Sequence, residues 1–145
     1  EGQPKSMIKP YEKAILREGE VFKTDKKIFI GKGTSIGDGC QFRVFTHDEE
    51  TISIGDGCAI ADNVFMVTNW GSHLLDAEQS ERSRGSISIG NGVWIGHGAM
   101  IRGGVTIGNY AIIGMGAVVT KDVPSGHVVV GNPGQDIGLR KDGKR

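Results

Sequence analysis

Four histidines (His47, His73, His97 and His127) and two cysteines (Cys40 and Cys58) carry the side chains of this 145-residue chain most suited to chemistry near neutral pH. A catalytic zinc needs three protein ligands and a water, and no pair of these histidines has the spacing for such a site. Neither cysteine belongs to a Cys-x-x-Cys motif, and both read as small buried apolar residues. His73 differs from the other histidines in its surroundings. It lies in a polar stretch with Asp76, Glu78, Gln79, Glu81, Arg82 and Arg84, where an imidazole serves either as a solvated loop residue or as a general base. Asp76 would orient that ring or cap a turn. Trp70, three residues before His73, would offer an aromatic face for a ligand to pack on or cover the interior.

The elements that position these residues follow from composition. There are 24 Gly, 28 Ile and Val together, and only 4 Leu. A helical domain avoids that much Gly, which costs roughly 1 kcal/mol per helical position. Collagen needs far more than 4 Pro. What remains is an all-β chain that turns often. The 17 basic and 17 acidic residues balance, so no bulk attraction to nucleic acid or an anionic membrane is expected. No apolar run is long enough for a membrane span, and no signal-peptide pattern opens the sequence. A reduced, cytoplasmic setting is expected.

An internal repeat fixes the fold more closely. Apolar residues return every six positions at Ile89, Ile95, Ile101, Ile107, Ile113 and Val119, and Gly follows in four of these six cases. Four positions after each of the first five stands a small residue, from Val93 to Ala117. The same frame runs through Ile30, Ile36 and Phe42, then Ile54, Ile60 and Met66. A period of six is neither helical nor simply alternating. It fits short strands joined by tight corners, three to a coil of about eighteen residues, around a prism whose corners hold the large aliphatics. The rhythm breaks twice, over 43–53 and over about 71–88, where a loop should leave the coil.

Ile-Gly-Asn-Gly-Val-Trp-Ile-Gly (89–96) followed by Gly-Val-Thr-Ile-Gly-Asn (104–109) resembles the hexapeptide-repeat acyltransferases. That resemblance implies a left-handed parallel β-helix, usually a homotrimer with active sites between subunits. The segments Asn63-Val64-Phe65-Met66-Val67-Thr68 and His73-Leu74-Leu75-Asp76 are similar to those of the maltose and galactoside O-acetyltransferases. The similarity implies acetyl transfer from acetyl-CoA to a hydroxyl or amine of a sugar or sugar-like acceptor by direct attack in a ternary complex. His73 would be the general base, and Asn69, Trp70 and Asp76 would lie near the acceptor. Met115 and Trp94, with Gly96 and Gly114, would line the pantetheine groove. Thr120 and Lys121 of Thr-Lys-Asp-Val-Pro (120–124) would contact the coenzyme, Lys121 at a phosphate.

Other readings stay open on the residues alone. Ile95-Gly96-His97-Gly98-Ala99-Met100-Ile101 is also similar to a zinc-binding run of the γ-class carbonic anhydrases, but the second histidine of that run is replaced by Arg102. No metal is expected, and His97 is a bystander or a donor to a developing oxyanion. A non-catalytic trimeric scaffold is the remaining alternative. Residues 1–27 should cap the prism, with a short helix over 11–18. Residues 28–133 should form the β-helix, and 134–145 a solvated, frayed tail.

Overall fold

The computed structural model describes residues 27–44, 49–71 and 76–145, with the backbone alone for 14–16. The six-residue rhythm becomes strands of two to four residues laid on three flat faces. A first coil runs through β2 (Ile28–Ile30), β3 (Ser35–Ile36) and β4 (Cys40–Arg43), preceded by β1 (Ala14–Leu16). A second runs through β5 (Ile52–Ile54), β6 (Ala59–Ile60) and β7 (Phe65–Val67), followed by α1 (Ala77–Arg82), the one helix among the described residues. The third holds β8 (Ile87–Ile89), β9 (Trp94–Ile95) and β10 (Met100–Arg102); the fourth holds β11 (Thr106–Ile107), β12 (Ile112–Ile113) and β13 (Val118–Val119). The chain closes with β14 (His127–Val130) and β15 (Gln135–Leu139).

Strands of equal place in successive coils pair in parallel. The first face is β2, β5, β8 and β11; the second is β3, β6, β9, β12 and β14; the third is β4, β7, β10 and β13. Inside, the large residues of the repeat from Ile36 to Val119 are buried, and so are the small ones between them, among them Ala99, Ala111 and Ala117. Ile30, at the edge, packs partly buried against this core. Cys40 and Cys58 are buried as expected and donate Sγ–H to the carbonyls of Ala61 and Gly90. Burial pushes both thiols up from their ordinary value, which leaves them protonated.

Corners between the faces need backbone that turns sharply. Gly98 and Gly116 take φ of 70° and 71° there, and Asn63 holds the equivalent place at 59°, a conformation Asn tolerates better than most side chains. At the first-to-second corner, side chains satisfy the main chain of the coil before. Asp56 Oδ1 accepts the Lys32 N–H, Asn91 Oδ1 that of Asp56, and Asn109 Oδ1 that of Asn91, at 2.8–2.9 Å.

The two breaks leave from the same place, the third-to-first corner. Equivalent residues are 18 apart in the regular coils but 24 apart across the first break and 35 across the second. The second detour is pinched at its base: Asn69 bridges Arg84, Trp70 N–H bonds Ser83 O and Gly85 N–H bonds Thr68 O. Its coil resumes at Ile87. Register across it is unbroken, Met66 pairing with Ile101 as Phe42 pairs with Met66.

Both ends differ from the sequence expectation. The expected helix over 11–18 gives way at Ala14–Leu16 to a strand, antiparallel to β4, because the open edge of the third face offers unpaired main chain to pair with. The expected frayed tail is instead a strand, β15, antiparallel to β14. It is held by Arg140, which donates to Tyr110 O and to Asp142, and by His127 Nδ1 at 2.7 Å from Asp136 Oδ2.

Candidate active site

The second-to-third corner carries a ladder like that at the first-to-second corner, and this ladder stops short. Asp62 Oδ1 accepts the Asp38 N–H at 2.8 Å, and His97 Nδ1 accepts the Asp62 N–H at 3.1 Å. The imidazole therefore stands where the other rungs use Asp or Asn. The next residue in the column is Met115, which has no oxygen or nitrogen to offer. The His97 N–H consequently has no acceptor among the described residues.

His97 itself lines a groove of about 190 Å³ together with Ala61, Trp94, Gly96, Ile112, Ile113, Gly114 and Met115. Four residues singled out in the sequence, Trp94, Gly96, Gly114 and Met115, thus meet in one place. Trp94 and Met115 are 54% and 76% exposed, unusual for large apolar side chains on a fold this well packed. Gly96 must be Gly: a Cβ there would stand 2.5 Å from Met115 N. The missing side chain lets the main chain of the next coil stack directly on this corner.

Thr120 and Lys121 fall elsewhere. They line a smaller cleft of about 80 Å³ with Asp122, Gly134 and Asp136, at the third-to-first corner. The structure does not bring them into the groove of Trp94 and Met115. On the same corner sit Asn69 and Trp70. Asn69 Oδ1 accepts the Gly71 N–H, and the Arg102 guanidinium lies 4.3 Å from the centre of the Trp70 ring. Asp76 caps α1, its carboxylate accepting the Gln79 N–H at 2.9 Å, the capping role that its place in a turn suggested. His73 and His47 lie outside the described residues.

Two groups were missed from the sequence. Arg102 entered only as a lost metal ligand, yet it is the cation that touches Trp70. The His127–Asp136 pair joins residues nine apart on β14 and β15, and no repeat-based signal points to it. Among the described residues no group of three His, Cys, Asp or Glu side chains is placed to hold a metal ion.

Comparison with known proteins bears on the groove and its fold. Residues 86–121 match the family described as bacterial transferase hexapeptide (six repeats). Comparison with curated proteins gives no match. Among solved structures, the chain is similar to the polySia-specific acetyltransferase NeuO, at 33% identity and TM-score 0.69, covering 84% of this chain and 59% of that one. It is similar to a maltose O-acetyltransferase from Clostridium difficile 630, at 36% identity and TM-score 0.64, covering 79% and 60%. A hexapeptide-repeat acetyltransferase from Vibrio cholerae complexed with acetyl coenzyme A is similar at 32% identity and TM-score 0.66, covering 80% and 62%. The chain spans about three fifths of the length of each of these relatives. The chain has the left-handed parallel β-helix fold, and its residues 86–121 carry the hexapeptide repeats.

Proposed function

We propose that, within this fold, the chain is an acetyltransferase that moves an acetyl group from acetyl-CoA to a hydroxyl or amine of a sugar or sugar-like acceptor. The observation that carries the reading is the broken ladder. The unpaired His97 N–H, beside Gly96 in an apolar groove, is a fixed main-chain donor of the kind that stabilises the oxyanion of acyl transfer. Pantetheine is long and thin, and the methylene and dimethyl groups between its amides suit a groove walled by Trp94, Ile112 and Met115. The relatives are acetyltransferases, and one of them is complexed with acetyl coenzyme A.

In this reading the acceptor oxygen or nitrogen attacks the thioester carbonyl while His73 takes its proton. The tetrahedral oxyanion faces the His97 N–H, then collapses and expels the coenzyme A thiolate. We read the transfer as direct, in a ternary complex: among the described residues lining the groove there is no Ser, Thr, Cys or Lys to carry an acyl group. No metal enters the scheme.

A homotrimer with active sites between subunits fits the faces of the prism. The outward column of the second face is Ser35, Ala59, Trp94, Ile112 and Val128, and that of the third is Gln41, Phe65, Met100 and Val118. On the first face it is Phe29, Ser53, Ser88 and Thr106. Two mainly apolar faces beside one polar face suit a ring in which the second face of one copy meets the third face of the next. The groove and the loop leave from different corners of one prism, so a neighbouring copy would complete the site.

Calorimetric titration with acetyl-CoA, followed by measurement of thiol release with a panel of sugars, tests this. Saturable binding and sugar-dependent release are expected, and His73→Ala should lose most turnover while keeping coenzyme affinity. Absence of acetyl-CoA binding would overturn the reading. Absence of a metal requirement is expected in the same assay, and inhibition by a chelator would count against the scheme.

A further inference from the structure

The position after each buried aliphatic is Gly at most corners of the prism. On the first face these are Gly31, Gly55, Gly90 and Gly108, and on the second Gly37, Gly96 and Gly114, with Ala61 the one exception. On the third face the same place holds Arg43, Val67, Arg102 and Thr120, in register from coil to coil. One corner therefore keeps side chains where the others discard them, and two of those side chains are guanidinium groups. Alternate rungs set Arg43 and Arg102 about 10 Å apart along the column.

Their interactions leave most of their charge unused. Arg102 covers Trp70 and donates only one long bond, 3.4 Å to Thr120 O, so most of its five donors are free. Arg43 keeps a buried Nε without a hydrogen-bond partner. Neither they nor Lys121, one residue beyond Thr120, is paired with a carboxylate among the described residues, whereas Arg82, Arg84 and Arg140 each are. The acidic groups of this corner among the described residues are Asp122, which accepts the Thr106 N–H, Asp136, which pairs with His127, and Glu49 and Glu50. Glu50 has a buried Oε1 without a partner, an acceptor for a sugar hydroxyl.

We propose that the third-to-first corner binds the acceptor and that the acceptor is a carboxylated sugar, its ring on Trp70 and its carboxylate on Arg102. This rests on the acetyl-transfer reading and names its substrate class. The planar fork of Arg102, 4.3 Å from the centre of the Trp70 ring, matches a carboxylate in two parallel bonds, and Arg43 and Lys121 add positive potential on either side.

A hexuronic-acid oligosaccharide and its carboxyl-reduced counterpart, differing only in that group, separate the possibilities when titrated into the purified protein with and without acetyl-CoA. The acidic form should bind at least about tenfold more tightly, with a loss of that margin in Arg102→Gln and partial recovery in Arg102→Lys. Trp70 emission should respond to the acidic sugar, and acetyl-CoA affinity should not change in either variant. Equal binding of the two sugars would overturn the proposal. So would loss of acetyl-CoA affinity in Arg102→Gln, which would place the coenzyme phosphates at this corner. A protein that binds the acidic sugar but not acetyl-CoA would instead refute the transfer reading.

Discussion

His97 Nδ1 accepts the backbone N–H of Asp62 at 3.1 Å, and that bond leaves the ring proton of the neutral imidazole on Nε2. The same contact is made by Asn91 and Asn109 at another corner, which shows how to separate ring chemistry from ladder geometry. His97→Asn should keep the bond and unfold within about 0.5 kcal/mol of the parent, while His97→Leu should lose about 1 kcal/mol. Because the proposed oxyanion donor is main chain, turnover in His97→Asn should stay within about tenfold of the parent. Chemical denaturation and steady-state rates on the two variants check both statements.

Met115 is where the second ladder ends, so extending it should silence the groove. Met115→Asn supplies an acceptor for the His97 N–H and should stabilise the fold by about 0.5–1 kcal/mol. Turnover should fall about tenfold or more, since the donor is then occupied. A variant that gains stability and keeps full activity would remove the His97 N–H from the mechanism.

The proposed ring predicts different tolerance on different faces. Met100→Glu puts a charge into the apolar column of the third face and should dissociate the assembly, with loss of activity. Ser88→Glu, on the polar first face, should do neither. Sedimentation of both variants at matched concentration reads the difference.

The β14–β15 hairpin should be sensitive to acid. The Gly138 N–H, and then the His127 ring, hold the Asp136 carboxyl below its ordinary value. A carboxyl lowered in this way contributes stability that is complete above the ordinary aspartate range and is lost as pH falls through the lowered value. Amide exchange of residues 127–139 should therefore accelerate on acidification below that range. Asp136→Asn should remove this pH dependence and leave the hairpin weaker at neutral pH.

The repeat was legible because one steric rule is applied many times: a narrow prism takes a large apolar side chain at each corner and small residues between them. Ile95, Ala99 and Ile101 obey it without help from distant contacts. The ends follow no such rule. Ala14–Leu16 is a strand because an edge of the third face needs a partner, a demand invisible in local sequence. The signal for α1 was present in Asp76 and in Glu78 with Arg82 four residues on, but the surrounding polarity masked it. Trp70 and Arg102, 32 residues apart in sequence, meet because a whole detour is excised from the stack. His97 and Asp62 meet for the same reason.

The unbroken pairing of Met66 with Ile101 beneath the detour means that the prism does not register how long that excursion is. Residues can be added, deleted or exchanged in it without shifting Trp94, Gly96 or Met115 by a rung. In the proposed scheme the donor groove and Arg102 belong to the coils while Trp70 stands at the root of the detour, so exchanging that segment would alter what an acceptor ring meets and leave the donor groove in place.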